Sequence, residues 1–312
     1  MKTKINKSPI VRALALGAAA AFLSTQAQAT VILSDSFTSA TVVGSGTSAY
    51  IQSVTSYGTN NWYSTQPNAA GGPSSLTTDT ILKPTGNVLN FAGNHANGNV
   101  VAAFTPVTLV AGGANESIQF TLAYHATATP TSSGPLMGLY NNGGTPVASN
   151  YFYAGGGATP VVLQDDKGYN FIKVLNSTSS DMKIQSETMN AVNGKDPFYI
   201  YGNQTSLVNA STGINANNTT SAYTMGIKLT LQVNGNLLVA ATFNGITNTT
   251  TVLAASVLTT TFNEIAFTGS PAYAGGGYNI DNIVVQTVPE PATWALLAFS
   301  LTTVMVLRRR RS

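Results

Sequence analysis

The stretch MGIKLTLQVNGNLLVAATF (225–243) constrains the fold more than any other part of the chain. Met225, Ile227, Leu229 and Leu231 alternate with other residues before Asn234-Gly235, and Leu237, Val239, Ala241 and Phe243 alternate after it. A period of two places each set on one face of a strand. Both sets are odd-numbered, so the turn must keep odd positions opposite odd. A two-residue Asn-Gly loop pairs odd with even and would send the two apolar sets to opposite faces. A three-residue loop, Val233-Asn234-Gly235, pairs Leu231 with Leu237 and Leu229 with Val239. It also puts Gly235 where a left-handed backbone is required. The stretch predicts a hairpin with one apolar face, which needs a second sheet to cover it.

The same alternation recurs in SIQFTLAY, where Ile118, Phe120, Leu122 and Tyr124 share a face. Further strands are expected at 31–37, 88–93, 100–110, 136–141, 169–175, 263–269 and 279–286, separated by Gly, Asn, Pro and Ser. No window between the ends carries a sustained helical period with caps. The fold class expected is all-β, a single two-sheet sandwich or jelly roll over residues 30–287.

Charge narrows the function. Between Thr30 and Val288 stand six lysines and ten acids, and six minus ten gives −4. The basic overall balance comes from the ends, so the body offers no patch for nucleic acid. With no cysteine, thiol catalysis and thiolate metal sites are excluded.

Each candidate for chemistry has a plainer reading beside it. Jelly-roll glycosidases need two carboxylates a few ångströms apart, and no Glu-x-Asp-x-x-Glu arrangement occurs. Asp165 and Asp166 read as part of a turn, DDKG (165–168), with a calcium ligand pair as the alternative. His95 and His125 are the only histidines, and no Gly-x-Ser-x-Gly elbow accompanies them. The glycine-rich segments 153–160 and 273–280 lack the Lys-Ser/Thr of a phosphate loop and read as wide loops. Asp281 reads as a turn or bulge residue at the start of its strand. No catalytic residue and no cofactor is assigned, and metal binding stays open. The aromatic clusters NNWY (60–63), YFY (151–153) and PFYIY (197–201) suggest sugar stacking, with Trp62 and Tyr63 the glycan contacts to test.

The two ends read as export signals. Lys2, Lys4, Lys7 and Arg12 precede an apolar run at 13–23, and Ala27-Gln28-Ala29 supplies small residues for signal-peptidase cleavage after Ala29. At the other end Val288-Pro289-Glu290-Pro291 precedes an apolar stretch (292–307) and Arg308, Arg309, Arg310 and Arg311. Sixteen helical residues rise about 24 Å, enough to cross a thinned bilayer with the arginines held in the cytoplasm.

That order of features resembles the PEP-CTERM sorting signal. The resemblance covers residues 288–312 and makes Pro289, Glu290 and Pro291 the recognition motif of an exosortase, a membrane protease-transpeptidase of Gram-negative bacteria that make exopolysaccharide. LSDSFT and YNIDNIVV, which open and close the body, resemble the lectin-like (concanavalin or laminin-G type) jelly rolls found in PEP-CTERM proteins. The two resemblances imply an inner-membrane intermediate that ends at the cell surface or in the extracellular matrix. The expected function is an exported, non-enzymatic surface or matrix protein, handled by signal peptidase and exosortase and associated with exopolysaccharide. Two alternatives stay open: a lectin-like module with a defined glycan ligand and, ranked last, a glycan-cleaving enzyme on the same fold.

Overall fold

The computed structural model describes residues 29–45, 49–66, 75–91, 99–113, 115–127, 133–152, 166–174, 181–188, 204–211, 219–268 and 278–288. The chain divides into two compact units, Met1–Ala29 with Pro289–Ser312, and Thr30–Val288. Ala27, the Pro289–Pro291 motif, the apolar stretch 292–307 and the four terminal arginines lie outside the described residues. Among the described residues no helix is long and apolar enough to cross a membrane.

The body is all-β. In chain order its strands are β1 (Thr30–Asp35), β2 (Thr41–Val43), β3 (Tyr50–Thr55), β4 (Gly58–Gln66), β5 (Ser75–Thr78), β6 (Asn87–Phe91), β7 (Asn99–Thr108), β8 (Ser117–Ala126) and β9 (Ser133–Asn141). They continue with β10 (Tyr151–Phe152), β11 (Lys167–Val174), β12 (Asp181–Thr188), β13 (Gln204–Ser211), β14 (Ala222–Leu231), β15 (Leu237–Phe243), β16 (Ile246–Val252), β17 (Thr261–Thr268) and β18 (Tyr278–Val288). A short 3-10 turn, Ala254–Ser256, follows β16.

Eight strands form one sheet in the order β16-β15-β14-β8-β18-β6-β5, with β1 also on β18. Ten form the other, β13-β12-β11-β9-β17-β7-β4-β3-β2, with β10 also on β4. Every pairing is antiparallel except β10 with β4. The inner faces share one core. Ile118, Phe120, Leu122 and Tyr124 of β8 belong to it with Met225, Ile227 and Leu229 of β14 and Val239 and Phe243 of β15. Met137, Leu139, Phe171, Ile184, Ile265 and Phe267 meet them from the larger sheet. This is the two-sheet sandwich that the alternating pattern predicts.

The 231–237 hairpin has the expected register, Leu231 opposite Leu237 and Leu229 opposite Val239. Gln232 N–H donates to Asn236 O, and Gly235 N–H donates to Gln232 O, so the loop is Val233-Asn234-Gly235 with Gly235 at φ 81°. The first and last strands also meet: β1 pairs with β18, Thr30 opposite Thr287 and Asp35 opposite Ile283. The register slips between Asp281 and Val284, so Asp281 opens a bulge as expected.

Several strands lie outside the sequence expectation. β16 (ITNTTTV) faces the core with Asn248 and Thr250 between Ile246 and Val252, so no apolar alternation marks it. β3 and β4 turn Ser53 and Asn60 inward because a buried carboxylate there needs donors. The expected DDKG turn is not seen at 166–168: Asp166 is buried and leads directly into β11, which takes in Lys167 and Gly168, and Asp165 lies outside the described residues.

Candidate functional site

Trp62 and Tyr63 are neighbours on β4 and so point to opposite faces. Trp62 is buried in the core, its ring 5.2 Å from that of Phe37. Its Nε1–H donates to Asp35 Oδ2 at 2.8 Å. Asp35 also accepts from Phe37 N and Ser53 Oγ, both at 2.8 Å, and from Asn60 Nδ2 at 3.4 Å. A buried carboxylate with four donors is satisfied, and Trp62 is one of them. Its placement corrects the expectation of a sugar-stacking face. Tyr63 is half-buried on the outer face, its ring 5.1 Å from Tyr50. Burial, and then Tyr50 beside it, raise its phenol above the ordinary value. Tyr151 and Phe152 form β10, whereas Tyr153 and all of PFYIY lie outside the described residues.

Three acids meet on the outer side of the larger sheet. One row across the strands runs Glu187 (β12), Gly168 (β11), Tyr140 (β9), Glu264 (β17). Tyr140 donates to Glu187 Oε2 at 3.1 Å, and Asn170 Nδ2 donates to the same oxygen at 2.9 Å. Burial pushes Glu264 up to about 8, with Asn142, Asp166 and the Val147 N–H offsetting part of the rise. Tyr140 is pushed well above its ordinary value by burial and then by Glu187. Asp166, Glu187 and Glu264 are all at most 1% exposed, and Val147 of the segment after β9 packs onto Tyr140. Acids so deeply covered cannot touch a glycan, and no group of three or more His, Cys, Asp or Glu among the described residues could hold a metal ion. The row is a structural polar layer.

His125 is likewise absorbed by structure. Its Nδ1 lies 2.6 Å from Asp79 Oδ2 and its Nε2 lies 2.7 Å from Thr219 O. Asn279 Nδ2 donates to the same Asp79 oxygen at 2.6 Å. Both ring nitrogens are engaged, which leaves neither for substrate. His95 lies outside the described residues.

The outer face of the smaller sheet is different: it is open and carries a groove. Thr121 (β8), Gly226 (β14), Thr242 (β15) and Thr247 (β16) stand in one row. Gly226 leaves a trough between threonines, since a Cβ there would come within 3.1 Å of Thr121 Cγ2. The resulting cavity is about 360 Å³, within the span of ligand pockets. Gln119, Thr121, Thr224, Thr242 and Asn282 bring amides and hydroxyls to it, and no lining residue is charged. Asn282 reaches the rim because the bulge after Asp281 puts it at φ 52° and turns it outward, where it is exposed. Beyond Thr242, whose Oγ1 lies 2.8 Å from Thr247 Oγ1, β16 shows Thr247, Thr249 and Thr251 to solvent. Sequence reasoning did not single out these residues. The signal was in the outward positions of the same alternating stretches, which hold Thr, Gly, Ala and Gln almost without charge.

No protein-family model matches the chain, and no curated protein matches it. Among solved structures, the Emp46p carbohydrate recognition domain in its metal-free form aligns with a TM-score of 0.43 and 8% identity, over 72% of this chain and 87% of that one. A legume lectin-like domain from Entamoeba histolytica gives 0.42 and 9% over 73% and 90%. A lectin from Bauhinia forficata in complex with GalNAc gives 0.41 and 13% over 74% and 93%. At these values the likeness decides nothing, and the fold rests on the strand pairing described above.

Proposed function

We propose that the chain is an exported, non-enzymatic protein whose sandwich holds a neutral glycan in the groove over Thr121, Gly226 and Thr242. The observation that carries this reading is the lining: a largely apolar glycine trough edged by the amides and hydroxyls of Gln119, Thr121, Thr224, Thr242 and Asn282, with no charge. An uncharged sugar chain offers apolar ring faces rimmed by weak donors and acceptors, and a neutral lining of apolar floor and polar edge matches it without desolvating an ion. The terminal signals support delivery of the domain by signal peptidase and an exosortase to the surface or matrix of a Gram-negative bacterium, where exopolysaccharide is the ligand at hand. Nothing in the described body supplies an exposed acid pair, so hydrolysis is not part of the reading.

The test is affinity electrophoresis in gels cast with neutral polysaccharide. Thr121→Lys and Thr242→Lys each place a long cation across the trough from a half-buried position of the outer face, with the stem over the trough and the ammonium in water. Retardation of the parent protein, reduced at least tenfold in both variants at unchanged Tm, is the expected result. Equal migration of parent and variants in the presence of the polysaccharide would sink the groove as the site.

A further inference from the structure

We infer that the end of the sandwich where the chain leaves β18 is a lipid-facing surface, with Val110, Val233, Leu253 and Tyr57 dipping into the headgroup layer of a membrane. Strand register brings these residues together. Ser117 stands opposite both Thr230 and Val288, and Leu237 opposite both Leu231 and Val252. The loops 109–116, 232–236 and 253–260 therefore share the end at which the chain exits at Val288. Hydrogen bonds tie them to one another: Leu231 N–H to Glu116 O, Leu109 N–H to Thr260 O, and Ala254 N–H to Asn236 Oδ1. The β3–β4 turn adds Tyr57, which lines one cavity with Phe104 and Thr105 near the same end of β7.

Exposure and charge single this end out. Val233 is 86% exposed, Leu253 66%, Val110 55% and Tyr57 50%. A lone exposed apolar side chain needs no explanation. Here four of the eight large exposed hydrophobics of the described residues crown one end. The three loops contain a single charged residue, Glu116, and it is buried. Separate apolar loop tips with an aromatic among them suit the bilayer interface, which takes each tip individually, better than a protein partner, which needs a continuous face.

The chain beyond Val288 points to the same occupant. Only Pro289, Glu290 and Pro291 separate it from the apolar stretch that begins at Ala292. Four virtual bonds span at most about 14 Å. A membrane that receives 292–307 is thereby tethered to Val288, the exit point of the end that carries these loops. The inference rests on reading 292–307 as a membrane-spanning segment.

Because the chain has no cysteine, single Cys variants of the full-length protein report unambiguously. Spin labels at Val233→Cys and Leu253→Cys, with Ile246→Cys at the opposite end and Ala298→Cys in the apolar stretch, are measured in phosphatidylethanolamine–phosphatidylglycerol vesicles. The readout is relative accessibility to oxygen and to a water-soluble nickel complex. The expected result is an oxygen-to-nickel ratio several-fold higher at 233 and 253 than at 246, with 298 higher still. A lipid-like ratio at 298 together with water-like ratios at 233 and 253 would overturn this inference and leave the membrane segment standing. A water-like ratio at 298 would overturn the membrane segment and the inference with it.

Discussion

Glu264 and Lys173 are charged residues placed where charge is costly, and they pull stability in opposite directions with pH. Burial pushes the Glu264 carboxyl from 4.5 up to about 8. Between those values the folded protein keeps a proton that the unfolded chain has released, so stability is full below 4.5 and falls as the pH rises to about 8. Asp281, raised first by burial, adds to the same limb. Lys173 is fully buried with Nζ 5.4 Å from the centre of the Phe243 ring, and burial lowers it from 10.5 to about 8. Between 8 and 10.5 the unfolded chain binds the extra proton, so stability recovers as the pH rises through that window. The urea midpoint is therefore expected to pass through a minimum near pH 8. Glu264→Gln should remove most of the decline from pH 5 to pH 8, and an unchanged decline in that variant would show that other groups carry it.

At the scale of the element, β9 shows how one side chain dictates its neighbours. Tyr140 lies flat along the sheet to reach Glu187, so its ring covers Gly138 on its own strand and Gly168 across the ladder. A Cβ at Gly138 would come within 2.5 Å of the Tyr140 ring, and one at Gly168 within 2.1 Å of Leu139 O. Gly138→Ala is expected to cost about 1–3 kcal/mol by overpacking. Combined with Tyr140→Ala the two should be strongly non-additive in a urea double-mutant cycle, because the ring that makes the clash is gone. Additive costs would mean that Gly138 is needed for some other reason. The same strand marks what the sequence makes legible. LMGLYN announces a strand by its apolar residues, and the 225–243 hairpin even announces its register, because period and turn length are local properties. The partnership of Tyr140 with Glu187, 47 residues on, and of Trp62 with Asp35, 27 residues back, is not local. An aromatic in a run such as NNWY reads the same whether its ring faces solvent or a buried carboxylate. The groove escaped notice for the converse reason: Thr121, Gly226 and Thr242 are unremarkable in sequence and become a site only when three strands align them.

Over the whole molecule the sandwich is closed where its first and last strands meet, and one lysine holds the charge there. Asp35 ends β1 and Asp281 opens the bulge of β18, so two carboxylates are buried at one rim of the core. Lys83, from the loop between β5 and β6, donates to Ser36 O and lies 3.3 Å from Asp281 Oδ1. It thus ties a third segment to the junction of the other two. Burial raises the Asp281 carboxyl, Lys83 opposes that rise, and Asp35 adds to it. Removing the cation leaves two buried acids facing each other. Lys83→Met is expected to cost about 3 kcal/mol near neutral pH, since breaking a buried pair strands the remaining charge. The loss should shrink as the pH falls and Asp281 takes up its proton, because a neutral carboxyl no longer needs the ammonium. Urea midpoints of parent and variant compared at pH 4 and pH 8 decide the matter. A difference that stays constant with pH would mean that Lys83 acts through packing of its stem rather than through its charge, and that closure of the sandwich does not depend on the ion pair.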